Sequence, residues 1–292
     1  MTTLSQPSPM VPFVHLHVHS YYSVLDGQCP LEAIIKKAKE DGMPGIALTD
    51  HGAMFGVKSF TELVQKENKP ILAAQKALKK EIEKLDDGES DQAKQLKEQY
   101  EALSKQLFKP IIGCEVYCAK RSRHDKDKSA IDPYNPGRSI DASGWHLILL
   151  AKNFQGYQNL IKMVSLSYTE GEYYRPRIDK ELLKKHHEGI IACSACLGGE
   201  VAQHILHDHI DRAEETIEWF KNIFGDDYYL EVQLHKTDKP NANRETYVKQ
   251  LKVNEAIYDL AERLGVKVIA TNDVHFVDEE DAEAHDLSLI HI

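Results

Sequence analysis

The chain has 292 residues, 28% of them charged and 42% hydrophobic, with a formal net charge of -10. This is the composition of a globular protein, long for one domain and short for two. No stretch approaches the roughly 20 apolar residues of a membrane span, and the acidic balance excludes a module that grips nucleic acid by unaided phosphate contacts.

The opening MTTLSQPSPM has neither a basic nor an apolar signal region, so residues 1–12 read as a disordered lead-in and a cytoplasmic location is expected. The first apolar run is VPFVHLHVH, with histidines at every second position. LEAIIKKAKEDG follows with helical spacing and a stop at Gly42. GIALTDH, ending at His51, is the second apolar run. Residues 71–107 are rich in Ala, Glu, Lys, Gln and Leu and are interrupted by DDGES, which predicts an αα-hairpin. Its narrow apolar stripe suits a surface insertion packed on itself or on the barrel wall, or an arm that docks a partner. KPIIGCEVYCA is the third run and WHLILLAK, with its histidine at the front, the fourth; a helix over 156–168 follows. GIIACSACLGG, DYYLEVQLH and VKVIATNDVH are the remaining runs, separated by helices over 199–224 and 244–264. Seven alternations of apolar run and helix predict an α/β fold with a parallel sheet, a closed barrel first and a doubly wound open sheet second. Neither GxGxxG nor GxxxxGK[ST] follows any strand, so the usual nucleotide-binding sheet is disfavoured.

In a parallel barrel, chemistry collects at the C-terminal strand ends. Those ends carry His17, His19, Asp26, His51, Glu115, His146, Cys196, Asp273 and His275. Imidazole, carboxylate and thiolate are donors for Zn²⁺ or Mn²⁺. A histidine cluster held by hydrogen bonds is the bland reading of any one of these motifs; together they favour metal. Nine donors suit two or three ions, and paired ions serve phosphoryl hydrolysis. With no GxSxG elbow, a metal-activated water is the better nucleophile. The five cysteines are odd in number and read as free thiols or ligands, and CSAC lacks the second pair of a zinc ribbon.

The succession HLHVHSYYSVLDG, LTDHGAMFG, KPIIGCEVY, WHLILLAKNFQGYQNL, YYRPRID, CSACLGGE and ATNDVHFV resembles the PHP (polymerase and histidinol phosphatase) domain. It is similar to the version at the N-terminus of the bacterial DNA polymerase III alpha subunit, a family C DNA polymerase. The similarity covers residues 13–285 apart from the helical insertion. The resemblance implies a distorted (β/α)7 TIM-like barrel, with the PHP domain over 13–287 and the end of the chain over 288–292. It assigns His17, His19, Glu115 and Asp273 to a first ion, Glu115, His146 and Cys196 to a second, and Asp26, His51 and His275 to a third. The ions would be Zn²⁺, Mn²⁺ or Mg²⁺, with the Cys196 thiolate leaning towards zinc.

The activity so implied is a metal-dependent phosphoesterase, with a 3′→5′ proofreading exonuclease acting on a DNA primer 3′ end as its expected form. Two rivals are a silent barrel that stabilises the polymerase or docks its proofreading subunit, and a stand-alone phosphatase. Implied partners are the rest of the polymerase chain and the proofreading and clamp subunits, with no membrane. The polymerase's nucleotidyl-transfer aspartates would lie beyond residue 292, so the chain is expected to continue, and the closing SLIHI with His291 is not interpreted.

Other residues carry weaker expectations. His15 reads as structural or as orienting a ligand. Asp50 reads as a support, a substrate contact or a ligand, and His235 as substrate-facing. Arg177 could hold a phosphate through its planar fork, against a loop salt bridge. Cys193 is expected to face the core. His186, His187, His204, His207 and His209 are expected to be solvated.

Overall fold

The computed structural model describes residues 13–85, 90–237 and 244–289. The expected lead-in over 1–12, most of the DDGES turn and His291 lie outside them. Helix α1 (Leu31–Glu40) buries Leu31, Ile34, Ile35 and Ala38, one face at helical spacing. The chain turns out of it at Gly42, whose φ of +74° glycine adopts without steric cost. Strand β1 (Gly45–Leu48) is buried throughout.

The hairpin starts earlier than its composition suggests. Helix α2 spans Val57–Ile82 and buries Val57, Phe60 and Val64 in a core cluster shared with α1. Helix α3 (Asp91–Gln106) returns beside it, and its Ser90 cap accepts a hydrogen bond from the Ala93 N–H. Beyond Val64 the buried residues of the pair are Gln75 and Ala93, and Gln75 bonds to Ser104 across it. The arm thus packs on itself, which is why its apolar stripe is narrow. Asn68 anchors its base through two hydrogen bonds to the Phe108 main chain.

The remaining elements are β2 (Lys109–Ala119), β3 (Ile131–Asp132), β4 (Asn135–Ser139), β5 (Gly144–Ala151), α4 (Phe154–Thr169), β6 (Arg177–Ile178), α5 (Lys180–His186), β7 (Ile190–Cys193), α6 (Glu200–Leu206), α7 (Ile210–Phe224), β8 (Tyr228–Val232), α8 (Glu245–Leu264), β9 (Lys267–Ala270) and α9 (Ala282–Leu289). The helix expected over 199–224 is two helices, broken where Asp208 takes a φ of 60°.

The main sheet runs β1-β2-β5-β7-β8-β9, with β6 on β2. It is parallel except at β5, which runs antiparallel to both β2 and β7. That corrects the all-parallel expectation. It also explains why WHLILLAK carries its histidine first. A reversed strand brings its own N-terminal end to the side where its neighbours end.

The first apolar run is not a regular strand. Residues 15–19 are extended chain with a bend at His17 and one isolated bridge, Val18 to Val274. Their main chain nevertheless bonds to both edges of the sheet. Ala47 N–H donates to His15 C=O and Thr49 N–H to Val18 C=O; His19 N–H donates to Val274 C=O and Val274 N–H to His17 C=O. The opening segment therefore closes the curled sheet into a distorted barrel.

Inside it, Ala47, Ile148, Leu150, Cys193 and Ala195 form one buried cluster with Leu16, Ile111, Tyr229 and Ile269. Six strands contribute to that interior. Counting in twos along β2, β5 and β8 from Ile111, Ile148 and Tyr229 reaches Glu115, His146 and Glu231. The pleat that fills the barrel floor with apolar side chains thus delivers polar ones to its mouth.

Candidate metal centre

The bend at His17 breaks the strict alternation of HLHVH. Leu16 packs into the barrel interior and Val18 into the outer cluster under α1, while His17 and His19 are both fully buried at the mouth. Their Nε2 atoms lie 3.1 Å apart and converge on the same acids. Asp273 Oδ1 is 3.0 Å from His17 Nε2 and 3.2 Å from His19 Nε2, and Glu115 Oε2 is 3.2 Å from His19 Nε2. His51 Nδ1 approaches Glu115 Oε2 at 2.6 Å, and His146 Nδ1 approaches its Oε1. Cys196 Sγ lies 3.6 Å from His146 Nδ1. Asp26 Oδ2 reaches His51 Nε2 at 3.0 Å and His275 Nε2 at 3.9 Å, and the His19 and His275 rings stack at 4.3 Å.

All nine candidate ligands therefore meet at one end of the barrel. Three triads hold their donor atoms within 4.8 Å of one another: His17, His19 and Glu115; Glu115, His146 and Cys196; and His19, His51 and His275. The second coincides with one of the groups that the family resemblance implies; the first lacks Asp273, and the third has His19 in place of Asp26. The main chain leaves regular strand geometry at one candidate ligand and just before another. Asp273 takes a φ of 49°, and Ala195, just before Cys196, takes 65°.

The donor set fits divalent cations. Both oxygens of Glu115, Oδ1 of Asp273, Oδ1 of Asp26 and Nδ1 of His51 are buried without a hydrogen-bond partner. A carboxylate ringed by imidazoles, close to them but not aligned for hydrogen bonds, is a shell shaped for a cation. The electrostatics agree. Burial opposes charge on Glu115 and Asp273, yet His146 and His51 hold the first carboxyl well below its usual range, and His17 does so for the second. Burial, helped by His51, pushes His19 down to about 3, so it is a neutral donor. Against burial, Glu115 and Asp26 raise His51 to about 10. The Cys196 thiol is pushed up by burial, Asp273 and Glu115, all of which a bound cation would counter.

A second ring of residues holds these ligands. Glu231, 2% exposed, takes His17 Nδ1 at 2.7 Å, fixing that ring so that Nε2 faces the cluster. Glu231 is itself held by Gln233 Nε2 at 2.9 Å and by the Thr271 hydroxyl. Sequence reasoning missed it, although a carboxylate inside the apolar run DYYLEVQLH was an available signal. Ser23 Oγ lies 3.0 Å from His19 Nδ1 and donates to Asp50 at 2.8 Å.

Several expectations change. Asp50 is 1% exposed and its carboxylate accepts hydrogen bonds from Ser20 and Ser23, so it positions the chain around His19. Arg177 is 0% exposed, and its guanidinium donates to the carbonyls of Gly171, Asp141, Arg123 and Asp125. Its fork is spent on main chain and offers no edge to a phosphate. His235 is exposed, with Nε2 donating to Asn272 C=O and Nδ1 accepting from Gln250, so it steadies the segment that carries Asp273. His15 lies away from the cluster, edge-on to the Phe13 ring, and burial lowers its pKa. Cys193 faces the core. His204 is buried and bonded to Tyr134 Oη at 2.7 Å, and His186 and His187 are half-buried; of the five expected to be solvated, His207 and His209 are exposed.

A distorted α/β barrel that gathers imidazoles, acids and a thiol at one mouth defines a barrel protein with a candidate metal site. The model of the PHP domain matches residues 15–235, and the chain belongs to that family. It is 37% identical over 288 residues to the DNA polymerase III subunit alpha of Chlamydia muridarum, covering 95% of this chain and 19% of that protein. It is 39% identical over 275 residues to that of Borreliella burgdorferi and 36% identical over 279 residues to that of Thermus aquaticus. The chain thus spans about a fifth of the length of these curated relatives. A crystal structure from Bifidobacterium adolescentis, provisionally described as a metal-dependent phosphoesterase, aligns over 98% of this chain with a TM-score of 0.37 and 11% identity. That likeness is loose, and the fold assignment rests on the chain's own topology and the family match. Among the described residues, no helix is long and apolar enough to cross a membrane.

Proposed function

We propose that this chain is the PHP region of a replicative DNA polymerase III alpha subunit and that its barrel mouth is a metal-dependent phosphoesterase, a 3′→5′ proofreading exonuclease on a DNA primer end. The observation that carries this reading is Glu115, buried among four imidazoles with both oxygens free of hydrogen bonds. Divalent cations held there would polarise a phosphoryl oxygen and lower the pKa of a water, supplying a nucleophile that the side chains do not. His17, His19, Glu115 and Asp273 would hold one ion, His146 and Cys196 with Glu115 a second, and Asp26, His51 and His275 a third. Glu231 keeps His17 in the orientation that presents Nε2, and Ser23 with Asp50 does the same for His19. Zinc or manganese suits this mixture of imidazole, carboxylate and thiolate. Nucleotidyl transfer, and contacts with the proofreading and clamp subunits, belong in this reading to the whole polymerase.

The test is metal analysis beside a nuclease assay. The purified chain should carry divalent metal and shorten a primer from its 3′ end, and His19→Ala should lose both. Metal retained without any hydrolysis would favour the silent scaffold. Full nuclease activity in metal-free His19→Ala would sink the proposal.

A further inference from the structure

Arg175 stands two residues before the arginine that the sequence singled out. Its surroundings differ from those of every other arginine among the described residues. Arg121, Arg123 and Arg263 pair with acids, Arg177 bonds to carbonyls, Arg212 reaches the Tyr134 hydroxyl, and Arg138 and Arg244 are exposed. Arg175 is half-buried and, among the described residues, its guanidinium has no ion pair and no hydrogen bond. It lies over the Tyr117 ring, with Cζ 5.6 Å from the centroid. The same ring is 6.2 Å from His51 and 5.3 Å from His146, two of the candidate ligands.

The loop that carries it is fixed against the site. Pro176 packs on Gly52, beside His51, so closely that a Cβ there would meet Pro176 Cγ at 2.8 Å and the Tyr117 ring at 3.2 Å. Tyr174, 68% exposed, is held at a φ of 60°, a costly conformation for a bulky residue. The Tyr173 N–H donates back to the Arg175 C=O at 3.1 Å. A strained, braced loop thus keeps a partly desolvated cation at the metal mouth. Asp26, Glu115 and Asp273 lie in that mouth, yet none pairs with it. A planar guanidinium stacked on a ring keeps its donor edges for a bidentate anion, and phosphate matches that fork.

We propose that Arg175 binds a phosphate group of the substrate beside the metal cluster. The proposal rests on the phosphoesterase reading above. The phosphate is either the one being cleaved or the next along a nucleic-acid strand, and two substrates separate these sources. One is bis(p-nitrophenyl) phosphate, which has a single phosphate; the other is a single-stranded oligodeoxynucleotide.

With the metal-loaded chain, Arg175→Ala should raise KM at least about tenfold while metal content and Tm hold. Arg175→Lys should recover part of the loss, and free guanidinium should restore more to the alanine variant. Loss on both substrates assigns the phosphate being cleaved, and loss on the oligonucleotide alone assigns its neighbour. Unchanged KM and kcat on both overturn the role of Arg175 and leave the phosphoesterase reading standing. Should the wild type hydrolyse neither, that reading fails, and calorimetric titration of the metal-loaded chain with orthophosphate decides the matter for Arg175. Weaker binding by Arg175→Ala then supports the phosphate role, and equal binding overturns it.

Discussion

Arg123 and Arg177 are buried about as deeply as His17 and Glu115, with exposures of 6% and 0% against 0% for both. The two arginines belong to a network that completes itself. Arg123 holds Asp179 at 3.0 Å and Glu170 at 2.8 Å, Asp179 also caps α5, and Arg177 ties four carbonyls from three loops. The histidine cluster uses the same kinds of charge and stays incomplete, with acid oxygens that lie beside imidazole nitrogens yet accept no aligned hydrogen bond. Burial of charge marks both regions; only the missing partners mark one as a place for something else. A buried network that satisfies its own donors and acceptors is scaffold, and one that does not is a site.

Four substitutions or conditions would break or sharpen that contrast. Arg177→Met should have the largest effect, because it strands the carbonyls of Asp141, Arg123 and Asp125, each at about 1–3 kcal/mol, and leaves Gly171 C=O only the Arg177 N–H. A loss of about 4 kcal/mol or more is expected in urea unfolding, with metal per folded molecule unchanged. Next is Glu115→Gln, which keeps the shape and removes the charge. Metal affinity and hydrolysis should fall at least about 100-fold, the upper end of what supporting residues alone cost; metal content equal to wild type would place the ions elsewhere. Glu231→Gln should reduce metal affinity by about 10-fold by loosening His17, and calorimetric metal titration would read it.

The smallest effect is one of pH. In the metal-free chain His51 titrates at about 10 against 6.5 for the free side chain. A group raised on folding stabilises in full below its unfolded pKa and loses that contribution as pH rises through the folded one. Chelated wild type should therefore lose stability between pH 7 and 10, and His51→Ala should flatten that slope in denaturant titrations.

The sequence made parts of this legible for reasons that are local. KPIIGCEVYCA matches β2 residue for residue because an apolar run buried from Gly113 to Ala119 and bounded by polar chain has few alternatives. The nine candidate ligands were legible because donor residue types cluster at or beside the ends of apolar runs. What stayed hidden depends on tertiary context. The direction of β5 is set by its pairing with β2 and β7, and the leading histidine of WHLILLAK is its one local trace. The bend at His17, which turns Leu16 and Val18 into different cores, is invisible to a period-two count. In RPRID two arginines share spacing and composition, and which one is consumed by carbonyls follows from loops distant in sequence. Helix α2 begins at Val57 because its first turns pack on α1, although the composition changes only near residue 71.

Asp273 joins its charge to an unusual main-chain shape, and the two can be inherited separately. At a φ of 49° the position accepts asparagine nearly as well as aspartate, whereas most other side chains would strain the turn. A descendant that drifts from Asp273 to asparagine keeps the backbone, the contact volume and the barrel. It loses one negative charge facing His17 and His19. If the proposed cation is held there, a single codon change could therefore weaken its binding while leaving the main chain of this turn unchanged.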